Sequence, residues 1–401
     1  MALPAPMCPP LVVHIIYRLA IGGLENGIVN LINHMPRNRY RHAIISLGEA
    51  TDFQNRLKDK DIPIYSLHKK MGQDWGVYFR LWKILRILRP SIVHTRNFGA
   101  LEYSVLSFLA GVPRRIHGEH GRDMDDIDGN RFKYLVFRKI ARPFVHRYIT
   151  VSDDLTEWLK YRVGIPKDRV THIPNGVDIK TFYPRRVHEQ VVSLKSFPFE
   201  SHHMIVGCVG RIQEVKNHIL LVEGFLSLLH AFPDVRSRLR LVIVGDGPLR
   251  QKLLERLEDA NARDLAWVPG ECVEISAILR KIDLFILPSL AEGNSNTILE
   301  AMATGLPVIA TAVGGNVELV EEGKTGTLIP SNDSIALGNA IKSYYLQPEL
   351  LRLHGEAGRE KAKACYSLDS MVNQYMLTYD LVLGRGTSAP TSRRIREFND
   401  R

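Results

Sequence analysis

The sequence predicts an α/β protein of two doubly wound domains, each a parallel sheet with helices on both faces. Three observations carry this. Short β-branched runs alternate with amphipathic stretches, the rhythm of repeated βα units. That rhythm stops after "IPNGVDIKTFYP" and starts again near residue 204. A chain of 401 residues at 45% apolar content also exceeds a single core, since domains usually hold about 50 to 200 residues.

In the first half, "LVVHIIYRL", "HAIISLG", "IPIYSLH", "SIVHTR", "RRIHGEHG" and "RYITVS" read as strands, each followed by a longer amphipathic or capped segment. These make a first domain over 1–175, and the Pro- and Gly-broken, strand-poor stretch 176–202 makes a hinge. "MIVGCVGR", "RLRLVIVGDG", "DLAWVPG", "DLFILPS", "PVIATAVG" and "GTLIP" then build a second domain over 203–366. Helical patterns run from Ser331 to Gly384; the last, over about 367–384, is expected to pack back on the first domain. The polar tail 385–401 is expected to be disordered. Open α/β sheets bind ligands beyond the carboxyl ends of their strands, so a cleft between the two domains is expected, walled by the motifs below.

The net charge of +10 lies wholly in the first half: residues 1–165 hold 25 Lys and Arg against 15 Asp and Glu, whereas residues 166–401 hold 28 of each. Such a field favours an anionic partner there, phosphate-bearing substrate or lipid surface. Nucleic acid is set aside because no binding module accompanies the charge. "VYFRLWKILRILRP" and "RFKYLVFRKIARPFVHRY" mix aromatic and aliphatic residues with Arg80, Lys83, Arg86, Arg89, Arg131, Lys133, Arg138, Lys139 and Arg142. They fit either helices lying on an anionic membrane or helices packed on their own sheet with a cationic outer edge. No run of 18 apolar residues occurs and the start lacks a basic n-region, so neither a span nor a signal peptide is expected and the location reads as cytoplasmic. Cys8, Cys208, Cys272 and Cys365 are scattered and read as free thiols, and no residue grouping is read as a metal site.

Gly22 and Gly23 follow the first strand and precede a helical pattern, where bare backbone and helix amides can face a phosphate; an ordinary tight turn fits as well. In the second domain "VGRIQEVKNH" sets Arg211 and Lys216 in the loop after the strand "MIVGCVG". Two fixed cations there can grip one diphosphate. "AEGNSNTILEAMATG" reads as a loop and a helix ended by Gly305, with Gly293, Asn294, Ser295 and Asn296 at the helix start. Glu300, about a turn on, can accept two ribose hydroxyls, while Glu292 stays in the loop nearer the reacting end. His94, His117 and His172 read as ordinary strand histidines.

These motifs together resemble retaining glycosyltransferases of family 4: Glu292-x7-Glu300 followed by "AMATGLPVIATAVGG", with "GRIQEVKN", "IPNGVD" and the first-strand Gly-Gly. The resemblance covers about residues 12 to 380. "YRLAIGGLENGIVNLINHMPRNRYRHAIISL" further resembles sugar transferases of bacterial PEP-CTERM exopolysaccharide systems. It implies a GT-B fold and metal-independent transfer of a hexosyl group from a nucleotide-diphosphate donor, UDP being the commonest, with retention at the anomeric carbon. The acceptor would be a glycan or a polyprenyl-linked sugar, at the membrane's inner face if the basic half docks there. No cofactor beyond the donor is implied. By position, Arg211 and Lys216 would bind the diphosphate, Glu300 the ribose and Glu292 the transferred sugar. Gly22 and Gly23 would face the diphosphate, His120 in "EHGR" would touch the sugar, and the backbone of Pro269, Gly270 and Glu271 would lie against the base. The wording "EGNSNTILE" departs from members that carry Phe or Leu and an apolar run after this glycine, which bears on the donor sugar. A sugar-nucleotide 2-epimerase on the same scaffold is the alternative; a non-catalytic nucleotide-sugar-binding regulator is a third reading.

Overall fold

The computed structural model describes residues 8–122, 126, 128–185 and 197–385. The tail beyond 385 and hinge residues 186–196 lie outside the described residues. Two units divide the chain: one runs to Asn175 and takes in the chain again from Leu368, and the other is Gly176–Ser367.

The first unit runs β1 (Leu11–Ile16), α1 (Gly23–His34), β2 (Arg41–Ser46), β3 (Ile64–Ser66), α2 (Trp75–Leu88), β4 (Ile92–Arg96), α3 (Phe98–Leu109), β5 (Arg114–Glu119), α4 (Phe132–Ala141), β6 (Arg147–Thr150), α5 (Asp153–Trp158) and β7 (Val170–His172). The second runs β8 (Met204–Val209), α6 (His218–Ala231), β9 (Leu239–Val244), α7 (Arg250–Asp259), β10 (Ala266–Gly270), α8 (Ile275–Leu279), β11 (Leu284–Leu287), α9 (Asn296–Ala303), β12 (Val308–Thr311), α10 (Asn316–Leu319), β13 (Gly326–Ile329), α11 (Ser334–Leu346) and α12 (Glu349–Cys365). α13 (Leu368–Val382) belongs to the first unit.

The first sheet is parallel throughout, in the order β3-β2-β1-β4-β5-β6-β7. In β1, β2 and β4 apolar residues face both sides, as a sheet covered on both sides requires, while His14, His42, His94 and His117 add buried imidazoles. Val13, Ile15, Ala43, Ile45 and Val93 pack against Val77, Leu81 and Leu85 of α2 and Tyr103 of α3. The opposite side sets Val12, Ile92 and Ile116 against Leu31 of α1 and Met371, Tyr375 and Tyr379 of α13. Asp380 pins α13 by accepting from Arg39 Nη2 and from the Tyr40 hydroxyl, each at 2.6 Å.

One connection departs from the βα rhythm. Between β2 and β3 the chain makes only a five-residue 3-10 turn, Asp52–Arg56; the seventeen residues of this connection include seven charged ones and end on Pro63. β7 is a three-residue strand at the sheet edge, too short to carry a period of two.

The second sheet is also parallel, in the order β10-β9-β8-β11-β12-β13. α6 lies close along α11 because Gly224 and Gly338 let the two backbones approach; a Cβ on Gly224 would lie 2.9 Å from Leu337. Among the described residues, no helix is long and apolar enough to cross a membrane.

Candidate functional site

In the second unit the chain leaves β8 toward β9 on one side and leaves β11 toward β12 on the other. The loops that follow β8 and β11 therefore lie side by side at the switch point, on the carboxyl edge where such sheets take ligands. Arg211 and Lys216 sit in the first loop and Glu292 to Ser295 in the second.

Backbone contacts hold both loops. Ile212, fully buried, donates its amide to Asp246 O at 2.9 Å, and the amide of Gly245 donates to Gly270 O at 2.9 Å. Gly245 and Gly247 have φ of 141° and 156°, and a Cβ on either would run into the carbonyls of Gly210 and Ile212. Only glycine lets the β9 loop lie against the Arg211 loop. Leu290 then ties the two ligand loops by donating to Val215 O at 2.8 Å.

Lys216 Nζ meets Glu292 Oε1 at 2.5 Å, and Ser289 Oγ donates to the same oxygen at 2.6 Å. The lysine side chain keeps 24% of its exposure and the glutamate 9%. Glu292 is fixed from its backbone as well: Gly315 donates to its carbonyl at 3.3 Å, and Gly314 packs so closely on that carbonyl that a Cβ would overlap it. Thr311 Oγ1 donates to Ser289 O at 2.5 Å, and Asn316 Nδ2 to Thr311 O at 3.0 Å. A cation and an acid predicted for two different parts of a substrate thus form one braced pair.

Ser295 caps α9, its hydroxyl accepting from the Ile298 amide at 3.3 Å. Asn294 and Ser295 are buried and Gly293 and Asn296 partly so; Glu300 follows one turn into the eight-residue helix, also partly buried. Arg211 is exposed on the lip of the loop that carries Lys216. Pro269, Gly270 and Glu271 end β10, on the same carboxyl edge but two strands from β8.

The first unit alters one expectation. Gly22 caps α1 with no side-chain bond, but a Cβ there would meet the carboxylate of Glu25, an acid in the helix's own first turn. The N-terminus next to Gly22 and Gly23 is therefore not a bare anion cradle, because Glu25 already complements the helix dipole.

His120 follows β5 at the carboxyl edge of the first sheet. Its amide donates to Asn97 Oδ1 at 2.8 Å, and its Nε2 lies 2.8 Å from Arg96 Nη1. The ring is held well below its ordinary pKa, by burial first and by the Arg96 charge second, so it is neutral. His94 and His117, read from sequence as unremarkable, join it in a buried group. His94 Nδ1 lies 3.1 Å from the Tyr379 hydroxyl, and His117 Nδ1 lies 2.8 Å from Thr95 Oγ1. His172, by contrast, pairs at 3.2 Å with Asp153.

Arg138, grouped in the sequence with the basic residues of a membrane-lying helix or of a cationic outer edge, serves neither. It turns inward over the rings of Phe98 and Trp158 and donates from Nε to Glu119 Oε1 at 2.9 Å. Burial alone would raise the Glu119 carboxyl; Arg138 and His117 together outweigh it and hold it at about 2. A depressed folded-state pKa adds stability above the unfolded value, 4.5, that is lost as pH falls through about 2. Glu119→Gln is accordingly expected to be less stable than wild type at neutral pH, with the difference vanishing by about pH 2 in denaturant titrations.

Asp-x-Asp spacing, which the sequence reading of no metal site passes over, occurs at Asp59 and Asp61, at Asp123 and Asp125 and at Asp126 and Asp128. Asp59 pairs with Arg37, and Asp126 accepts the amides of Asn130 and Arg131, so these two leading acids have structural partners; Asp123 and Asp125 lie outside the described residues.

Residues 21–181 match the family described as Glycosyltransferase Family 4, and residues 203–346 match Glycosyl transferases group 1. EpsD of Bacillus subtilis (strain 168), which carries a glycosyltransferase name, is 30% identical over 302 residues, 72% of this chain and 76% of its own. The chain belongs to the family 4 glycosyltransferases. An Escherichia coli relative of this glycosyltransferase, UDP-Gal:alpha-D-GlcNAc-diphosphoundecaprenol alpha-1,3-galactosyltransferase, is 28% identical over 345 residues, 82% of this chain and 86% of its own. Among solved structures, Anabaena Alr3699/HepE in complex with UDP and glucose superposes with a TM-score of 0.77 at 18% identity, over 93% of this chain and 100% of that one. A glycosyltransferase from Rickettsia africae gives 0.76 at 20% identity over 94% and 100%. Both share the GT-B fold with this enzyme.

Proposed function

We propose that the enzyme transfers a hexosyl group from a UDP-sugar, with retention at the anomeric carbon and without a metal, to a glycan or polyprenyl-linked acceptor in exopolysaccharide assembly of the PEP-CTERM type. The observation that carries this is the braced Lys216–Glu292 pair beside the start of α9, at the switch point of the second sheet. Negative charge grows on the leaving diphosphate as the sugar becomes oxocarbenium-like. Lys216, Arg211 and the amides at the start of α9 meet that charge, and a fixed donor of this kind is worth about 2.7 to 4 kcal/mol. Glu300 takes the ribose hydroxyls, and Glu292, already held by Lys216 and Ser289, the hydroxyls of the transferred sugar. In the first unit His120 is the group assigned to contact a sugar, and the departing phosphate takes the acceptor proton. UDP is favoured by the donor printed in the name of the E. coli relative and by UDP in the Anabaena complex.

A thermal-shift panel of UDP-, GDP- and ADP-sugars selects the donor, since a specific ligand raises stability by mass action. Proton NMR of the first product formed from that α-linked donor, in buffer containing EDTA, is expected to show an α linkage. A β linkage, or loss of turnover on chelation, contradicts the proposal.

The acceptor's lipid is reached through α2. This helix seats Val77, Leu81 and Leu85 in the core yet leaves Trp75, Phe79 and Trp82 exposed by 76%, 66% and 38%. The three aromatics repeat at helical spacing beside Lys83 and Arg86, a face suited to an anionic bilayer surface. Wild type is expected to sediment with phosphatidylglycerol-containing vesicles at low salt and not with phosphatidylcholine alone. Replacing all three aromatics by Ala should abolish that binding, and unchanged sedimentation would refute docking through α2.

A further inference from the structure

We propose that Arg96 is the positioning residue that fixes His120 in its neutral, Nδ1-protonated form; the functional weight of this rests on the sugar contact assigned above to His120. A guanidinium donates hydrogen bonds and accepts none. With Arg96 Nη1 at 2.8 Å from His120 Nε2, that nitrogen must be the bare acceptor, and the ring proton lies on Nδ1. The same guanidinium places Nη2 3.5 Å from His14 Nδ1, which makes His14 an Nε2–H tautomer that can donate to His42 Nδ1 at 3.1 Å. One arginine thus sets the polarity of a row of imidazoles.

Its setting favours this role over a plain ion pair. Arg96 ends β4, is 2% exposed and lies over the Tyr375 ring, 5.6 Å from its centroid, with Nη1 also 3.4 Å from that hydroxyl. Glu119, next to His120 in sequence, is engaged by Arg138. The charged and titratable groups that act on His120 are Arg96 and His94 on β4 and Glu119 and His117 on β5; burial and the arginine charge prevail over the lone acid. Two further residues serve the same ring. A Cβ on Gly118 would lie 2.8 Å from His120 Nε2 and 3.1 Å from His94 Nε2, so both rings rest over bare backbone. Asn97, held at a φ of 57°, supplies the acceptor for the His120 amide. The result is an imidazole that offers a fixed Nδ1–H donor and does not pick up a proton at neutral pH.

The test is nitrogen-detected NMR of the full chain labelled with 15N-histidine, with the His120 resonances assigned by difference against His120→Gln. Wild type is expected to show a protonated Nδ1 and a bare Nε2 at neutral pH and still below the ordinary midpoint of a histidine. Arg96→Lys, which keeps one donor and the charge, should preserve that pattern, whereas Arg96→Met should mix the tautomers and let His120 titrate nearer its ordinary range. Transfer by Arg96→Met should fall at least about tenfold in kcat with a smaller change in KM, and Arg96→Lys should recover part of it. A wild-type His120 carrying its proton on Nε2 overturns the proposal even if Arg96→Met does not fold, as does an unchanged tautomer in a folded Arg96→Met. Wild-type turnover by His120→Gln would instead remove the sugar contact of His120 and leave the tautomer result standing.

Discussion

Lys216→Met is expected to lower kcat for sugar transfer by about 100- to 1,000-fold, the usual effect of removing one fixed donor from a developing oxyanion. Two losses coincide. The diphosphate loses a cation held at the switch point, and Glu292 loses its ion-pair partner at 2.5 Å while keeping only the Ser289 hydroxyl. Glu292→Gln removes the acid but leaves Lys216 in place, so it should cost less. Because the two side chains touch, their effects should not add: the double variant is expected to be little worse than Lys216→Met alone. Steady-state kinetics on the four proteins of this cycle, with the donor chosen by thermal shift, measures the coupling. Strict additivity would mean that the pair does not act as a unit.

Gly314→Ala should also lower turnover, by more than about tenfold, although residue 314 has no assigned contact with a substrate. Its φ of 48° already disfavours a side chain by about 1 to 2 kcal/mol. The heavier consequence is geometric. A Cβ there overlaps the Glu292 carbonyl, so the loop carrying Glu292 must move away from Lys216. Gly323→Ala is the control: its φ of 69° brings similar strain, but nothing lies within 4 Å of the added carbon. Both variants are expected to lose about 1 kcal/mol or more in thermal or denaturant unfolding, while only Gly314→Ala loses kcat/KM by more than about tenfold. Equal activity in the two would detach Gly314 from the site.

Much of this was legible in the sequence, for physical reasons. Strands covered on both faces read as near-continuous apolar runs, so all six strands read in the second half stand where those runs lie. Arg211, Lys216 and Glu292 could be placed from sequence because they sit in the loops after β8 and β11, where chain direction alone sends them to the carboxyl edge, and Glu300 because it lies in the helix that follows. What was not legible depended on partners distant in sequence. Lys216 and Glu292 are 76 positions apart, and no local pattern announces that they pair. Arg138 lay in a basic run that read as solvated, but Phe98, Trp158 and Glu119 draw it inward. Arg96 gave no signal at all, since a strand-end arginine is ordinary until several imidazoles from other strands are folded around it. Glu25 was visible beside Gly22 and Gly23, and helix-dipole complementarity could have flagged it.

If the loops after β8 and β11 hold a pyrophosphate, equilibrium titration of wild type and Lys216→Met with UDP and with uridine will show it. UDP should bind wild type at least about 100-fold more tightly than uridine, the equivalent of two charge-assisted hydrogen bonds, and Lys216→Met should remove most of the difference. Uridine binding as tightly as UDP, or a Lys216→Met enzyme that still prefers UDP by the full margin, would contradict a pyrophosphate site there.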